Sequence, residues 1–441
     1  MSVYDSNLIA TPKGMFDLHC EDVKIREYII NEVKEVFKIY DAIPIDTPII
    51  ERKTTITNLY GEEFNKLVYE LQDQGDNLIL RYDLTVPFAR YVANNGLIQF
   101  KRYQIGKVYR RDQPNLSKGR YREFLQADFD IIGPKSIYQE VEILSLLHDI
   151  FNKFIKDKYI IKISDRSILN NIIKSCGIVD NINSVCSTID KLDKCSYDDI
   201  FQELSLKTDN DKAVKLLTII QCQNNLSPYE MISKLKLDGY IDDDKYHELT
   251  LLLDMLSSLN ILSVITFDLS LARGLDYYNG LIYEVVMKDN NILTSSIAAG
   301  GRYDNLLGKL SNKGSKESIN AIGCSIGIER LVTVLQKLDF IYDNLGNTDV
   351  FVASVGKNMA KERLKLTLEL RQQGIKAQTI YQDSPNMRLQ FKHVFDKNIP
   401  YMIIVGDNEI TNNVVKFKNI LISDEITVPR NNIITFLKSK L

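Results

Sequence analysis

The chain has 441 residues, 44% of them hydrophobic, which is enough to bury several cores, and length alone predicts about two to four domains. A formal net charge of −3 excludes a uniformly basic nucleic-acid binder and leaves room for one basic domain face. The six cysteines show no CxxC spacing and the four histidines are scattered, so reduced thiols are expected, with neither a disulfide framework nor a resident metal.

The opening Met1-Ser-Val-Tyr-Asp-Ser-Asn lacks a basic and apolar signal pattern, and no run of ~18 uncharged apolar residues follows, so a soluble, cytoplasmic chain with no membrane contact is expected. From Asp22 to Tyr40, apolar Ile25, Ile29, Val33, Val36, Phe37 and Tyr40 recur at helical spacing between charges, predicting an amphipathic helix. Residues 42–51 carry Pro44 and Pro48, which cannot donate to a central ladder, and are expected as an edge or interface strand. Between Asn77 and Gly133, short apolar runs at 78–80, 103–109 and 127–132 alternate with polar residues, as strands of a largely antiparallel sheet would. From about Ser164 to Leu262 the chain turns to Leu/Ile/Lys/Asp-rich amphipathic segments, predicting a helical insertion, and strand character returns over 280–287.

After Asn344 the pattern alternates strand and helix: a strand over 349–355, a helix ending at Gly374, a strand over 375–381, a helix to Asn398 and a strand over 401–405. That alternation predicts a small α/β domain with a mainly parallel sheet. From Val350 to Leu441 there are 14 Lys or Arg and 8 Asp or Glu, a charge of +6 that leaves −9 for the remainder.

The densest polar segment runs from Val108 to Asp130 and is read as a basic loop between two strands, with Arg110, Arg111, Lys118, Arg120 and Arg122 close together. Guanidinium groups match phosphate oxygens bidentately, and Phe124 can offer a face to a base, so nucleotide binding is physically reasonable. Taken alone, this segment would be read as a solvated basic hairpin. Three further clusters set charged or small residues between strands: Arg81-Tyr-Asp-Leu-Thr-Val-Pro87, Arg273-Gly-Leu-Asp-Tyr-Tyr-Asn-Gly280 and Ala298-Ala-Gly-Gly-Arg-Tyr-Asp304. A fourth, Ala321-Ile-Gly-Cys-Ser-Ile-Gly-Ile-Glu-Arg330, joins a small-residue strand to an apolar helix, and its glycines allow close approach to the backbone.

Together these segments resemble the class II aminoacyl-tRNA synthetases and, through Arg273-Gly-Leu-Asp-Tyr-Tyr and Ala-Gly-Gly-Arg-Tyr-Asp, the histidyl-tRNA synthetase family over nearly the whole chain. Pro48 and its strand resemble the first class signature, 109–130 the second and 327–330 the third. Asp83 and Asp130, where bacterial relatives tend to carry glutamate, resemble the eukaryotic branch. The resemblance implies an α+β fold: an antiparallel-sheet catalytic domain in two parts (1–163 and 263–345), a helical insertion (164–262) and a C-terminal α/β anticodon-binding domain (346–441). It implies ATP with Mg²⁺, L-histidine and tRNA(His) as partners, a homodimer, and formation of histidyl-adenylate followed by transfer to tRNA with release of pyrophosphate and AMP. The pattern begins at once with Thr11-Pro-Lys-Gly-Met, so no N-terminal helical extension or tether to larger complexes is expected.

Residue by residue, the resemblance places Arg110 on the α-phosphate and the histidine carboxylate, with Arg273 opposite it as the second catalytic cation. Phe124 and Arg330 would sandwich the adenine, Arg122 would reach the outer phosphates, and Asp112 joins the ATP-binding set. Asp83, Thr85 and Gln126 would hold the ammonium group, and Asp130 and Tyr278 the imidazole. Tyr277 is read as a half-buried strand aromatic, Cys324 as a small core residue, and Glu329 as structural or catalytic. A regulatory or tRNA-sensing paralogue would typically lack these contacts. A prolyl, threonyl or glycyl synthetase would lack Arg273-Gly-Leu-Asp-Tyr-Tyr.

Overall fold

A computed structural model describes residues 9–55, 67–72, 75–115, 117, 119–192, 195–221, 226–272, 278–310, 319–338 and 348–441. The chain divides into two compact units, Met1–Phe340 and Ile341–Leu441.

In the first unit the strands are β1 (Ile43–Pro44), β2 (Ile50–Arg52), β3 (Glu70–Leu71), β4 (Leu78–Leu80), β5 (Phe100–Tyr109), β6 (Glu123–Gly133), β7 (Tyr159–Asp165), β8 (Ile265–Phe267), β9 (Leu281–Met287), β10 (Ala298–Arg302) and β11 (Asn320–Gly327). Eight of them form one sheet in the order β1-β5-β6-β11-β10-β9-β7-β8, antiparallel except at its two ends, while β2-β4-β3 make a small separate sheet. The proline stretch splits into β1 and β2, and β1 sits on the sheet edge, where Pro44 leaves no central ladder position without a donor.

The predicted first helix spans Cys20–Ile39, and its apolar stripe of Ile25, Ile29, Val33, Val36 and Phe37 is buried. It packs with the helices Ile137–Ile155 and Ile328–Lys337, and Phe37 meets Phe129 of β6 at 5.5 Å between ring centroids. Strand side chains alternate between faces. On β6, therefore, Phe129 turns to these helices, while Phe124, Gln126, Asp128 and Asp130 share the opposite face.

Between β7 and β8 come only helices among the described residues: Arg166–Ser175, Ile182–Ile189, Tyr197–Ser205, Asn210–Gln221, Pro228–Leu237 and Asp243–Ser258. Their starts are written locally, as Ser196 with Asp199 and Ser227 with Glu230 form reciprocal capping boxes, the latter with Pro228 at the first helical position.

The second unit holds β12 (Val350–Ser354), β13 (Ala377–Thr379), β14 (Tyr401–Val405), β15 (Val414–Asn419) and β16 (Asp424–Pro429) in the order β13-β12-β14-β15-β16. β12, β13 and β14 are parallel, as the alternation predicts, and helices Ala360–Gln372 and Met387–Asp396 connect them. Gly374 follows the first of these with φ +81°, a left-handed position suited to a residue without a side chain. β15 and β16 add an antiparallel hairpin that the expectation of a mainly parallel sheet did not include. Its link, Ile420-Leu-Ile-Ser423, has no Gly or Asn and turns through Ser423 at φ +56°.

Candidate active site

The polar face of the large sheet opens into a cavity of about 370 Å³. Its lining includes Asp83, Thr85, Arg110, Asp112, Phe124, Gln126, Tyr278 and Arg330, so eight of the eleven residues expected at the site share one cleft.

Each is placed by local structure. Asp83 and Thr85 stand where the chain enters the helix Thr85–Asn95, and Asp83 accepts at 3.1 Å from the Val86 amide, one of the first-turn N–H groups that has no partner within the helix. Arg110 leaves the end of β5 and donates from Nε to the Tyr82 carbonyl at 3.1 Å. Its guanidinium carbon lies 4.3 Å from the Tyr82 ring centroid and 5.1 Å from that of Phe124. Such a clamp holds a cation without reorganisation. On the first turn of the helix Ile328–Lys337, Arg330 donates to the Ser296 carbonyl at 2.5 Å. Asp112 binds Arg120 at 3.0 Å.

Two expected residues lie off the lining. Arg122 donates through Nε to the Asp112 carbonyl at 3.0 Å, and its stem fills the space beside Gly14, where a Cβ would come within 2.8 Å. The cation that lines the cavity there is Arg120. Asp130 is 2% exposed behind the cavity floor, bound by the Tyr303 hydroxyl at 2.5 Å and by Arg102 at 2.6 Å. Gly323 faces it across the ladder, and a Cβ there would fall 2.0 Å from the Asp130 carboxylate, so only glycine leaves the acid room. Arg273 and Tyr277 lie outside the described residues.

Sequence reasoning missed part of the cluster. Arg102 is fully buried beside Asp128 and Asp130, with its guanidinium carbon 4.3 Å from the Phe88 ring centroid. Burial pushes the Asp128 carboxyl up to about 7, with Arg102 pulling it down and Asp130 pushing it up. Cys324 is buried, as a small core residue would be.

Glu329 lines the cavity and replaces a missing ladder partner. β11 ends at Gly327, opposite Gln126, and the next β6 amide, that of Leu125, donates to the Glu329 carboxylate at 2.8 Å. Burial raises this carboxyl to about 7 despite that amide and Arg26. A carboxyl whose pKa is raised on folding takes up a proton as the chain folds, so its contribution to stability falls as pH rises from its ordinary value of 4.5 to about 7. Glu329→Gln, which keeps the acceptor, is accordingly expected to gain stability relative to the parent between about pH 5 and pH 7.5. Urea midpoints of the two proteins across that range check this, and a constant difference would refute it.

An antiparallel sheet carrying a cleft edged by arginines and aromatic rings, followed by a separate mixed α/β unit, is the arrangement of a class II aminoacyl-tRNA synthetase. The sequence model described as Histidyl-tRNA synthetase matches residues 14–331, and that described as Anticodon binding domain matches 349–440. The chain is 38% identical to the histidine–tRNA ligase of Danio rerio, covering 98% of this chain and 89% of that one. It is 38% identical to the cytoplasmic histidine–tRNA ligase of Dictyostelium discoideum, covering 98% and 91%. The crystal structure of histidyl-tRNA synthetase from a Nostoc species superposes with a TM-score of 0.81 at 24% identity, covering 98% of this chain and 99% of that one. The chain belongs to the histidyl-tRNA synthetase family.

Proposed function

We propose that the chain activates L-histidine with ATP to histidyl-adenylate and transfers histidine to tRNA(His), releasing pyrophosphate and AMP. The observation that carries this reading is the convergence of Arg110, Phe124, Arg330, Asp83, Thr85, Gln126 and Tyr278 on one cleft in a chain of this family. Attack of a carboxylate on the α-phosphorus brings two anions together, and the clamped Arg110 neutralises the charge they share. Arg273 is proposed as its counterpart on the other side of the reacting centre. Phe124 and Arg330 are proposed to enclose the adenine. Mg²⁺ is proposed to enter with the phosphates, since among the described residues no cluster of three or more His, Cys, Asp or Glu is placed to hold a metal alone. Arg120, rather than Arg122, lines the cavity where the outer phosphates would extend.

Asp83, Thr85 and Gln126 are proposed to receive the histidine ammonium group. Tyr278 is proposed at the imidazole. Asp130 is proposed to act there from behind, through the Tyr303 hydroxyl that holds it and the Tyr278 ring packed 6.5 Å from Tyr303. We further propose a homodimer through the segment of β1, β2 and the Pro48 link between them, and a cytoplasmic location. No helix among the described residues is long and apolar enough to cross a membrane.

The second unit is proposed to grip the tRNA anticodon, where phosphate contacts set register and unstacked bases are read by side chains. A chain ending at Gly346 is expected to catalyse ATP–pyrophosphate exchange with histidine yet charge tRNA poorly. Charging at the full rate by the shortened chain would refute the anticodon assignment.

A further inference from the structure

We propose that Tyr381 is a stacking platform for an unpaired base of the tRNA anticodon loop. The proposal rests on the reading of the second unit as the part that grips the anticodon.

β12 and β13 run parallel, so the links 355–359 and 380–386 leave the same edge of the second sheet, the edge at which open α/β sheets take their ligands. Tyr381 follows the end of β13 there, with its side chain 88% exposed. A lone exposed aromatic is ordinary on a protein surface. The backbone beneath this one is not. Arg363, 1% exposed on the helix Ala360–Gln372, donates from Nη1 to Ser354 Oγ at 2.7 Å. Its Nη2 donates to the carbonyls of Ile380, at 3.2 Å, and of Gln382, the two neighbours of Tyr381.

Taking a guanidinium out of water is costly, and this one spends its terminal nitrogens on neutral oxygens. The result is a chain fixed on both sides of Tyr381 beneath a ring left open to solvent. A ring presented on a fixed backbone loses less freedom on stacking, and every base offers it a face.

The first turns of the helices Ala360–Gln372 and Met387–Asp396 share this edge, with Lys361 and Arg388 exposed on them and Lys357 exposed in the link before. Helix N-termini and cations suit the phosphates on either side of a stacked base. The exposed acids of the same edge, Asp383 and Asp407, offer acceptors to base amino groups. Across 350–441 the net charge of +6 favours RNA over an apolar or basic peptide as the occupant.

The test is charging of tRNA(His) by the full-length protein, with tRNA varied at saturating histidine and ATP. Tyr381→Ala is expected to raise the KM for tRNA about tenfold, the scale of one stacked base, with kcat and tRNA-free ATP–pyrophosphate exchange within about twofold of the parent. Tyr381→Phe keeps the ring and is expected to charge like the parent. Removing the anticodon-loop bases one at a time is expected to reveal one abasic tRNA that the parent also charges with a tenfold higher KM. On that tRNA, Tyr381→Ala is expected to cost nothing further. An unchanged tRNA KM in Tyr381→Ala, an equal penalty in Tyr381→Phe, or a full penalty for Tyr381→Ala on every abasic tRNA would overturn the stacking. If the chain ending at Gly346 charges at the full rate, the anticodon reading itself fails. If that chain loses charging while Tyr381→Ala charges like the parent, the reading stands and the stacking alone is refuted.

Discussion

Arg110→Ala is expected to slow histidyl-adenylate formation by about two to three decades, the cost of removing one preorganised donor from a site that stabilises developing negative charge. The Arg110 guanidinium spends only Nε on the protein, at the Tyr82 carbonyl, and its terminal nitrogens have no hydrogen-bond partner among the described residues. With the Tyr82 and Phe124 rings beside it, it is held in place before any substrate arrives. Such an interaction is strongest in the transition state, so the loss should fall on kcat more than on the KM for ATP or histidine. Transfer from preformed adenylate to tRNA requires no approach of two anions and should suffer less. Single-turnover measurement of the two half-reactions separates them, and activation within a few-fold of the parent would remove Arg110 from the mechanism. The same phenotype is expected of Arg273→Ala.

The second large effect concerns stability. Arg102 is the buried cation beside both Asp128 and Asp130, and Arg102→Leu would leave two carboxyls enclosed without it. Breaking a buried pair by removing one partner costs about 3–5 kcal/mol. Burial already raises both carboxyl pKa values, so the variant should answer by taking up protons, losing least stability at acid pH and most above neutrality. Chemical denaturation followed at two pH values tests this, and a variant as stable as the parent at both would show that the cluster holds no charge that Arg102 offsets.

Why Arg102 and Asp128 escaped the sequence reading is instructive. Along β6 the even-numbered polar residues look like the wet face of an ordinary antiparallel strand. Only the pairing of β6 with β5 and β11 shows that Arg102, Gly323 and Ser325 close over them. The first helix and the parallel part of the second unit were legible because a 3.6-residue stripe and regular strand–helix alternation are local signals. The β15–β16 hairpin was not, since its turn lacks the Gly or Asn that marks most tight turns. Arg120 and Arg122 cannot be told apart by composition. The positive φ of Gly14, +78°, forms the turn against which Arg122 packs and leaves Arg120 on the lining.

The proposed cleft is expected to activate histidine and no other amino acid. ATP–pyrophosphate exchange by the full-length protein, run separately with each of the twenty amino acids, tests it most directly. Exchange supported by histidine alone is the predicted result, since the polar groups around Gln126 and Tyr278 would be left unpaired by an apolar side chain. Exchange with proline, threonine or glycine, or with none of the twenty, would contradict it.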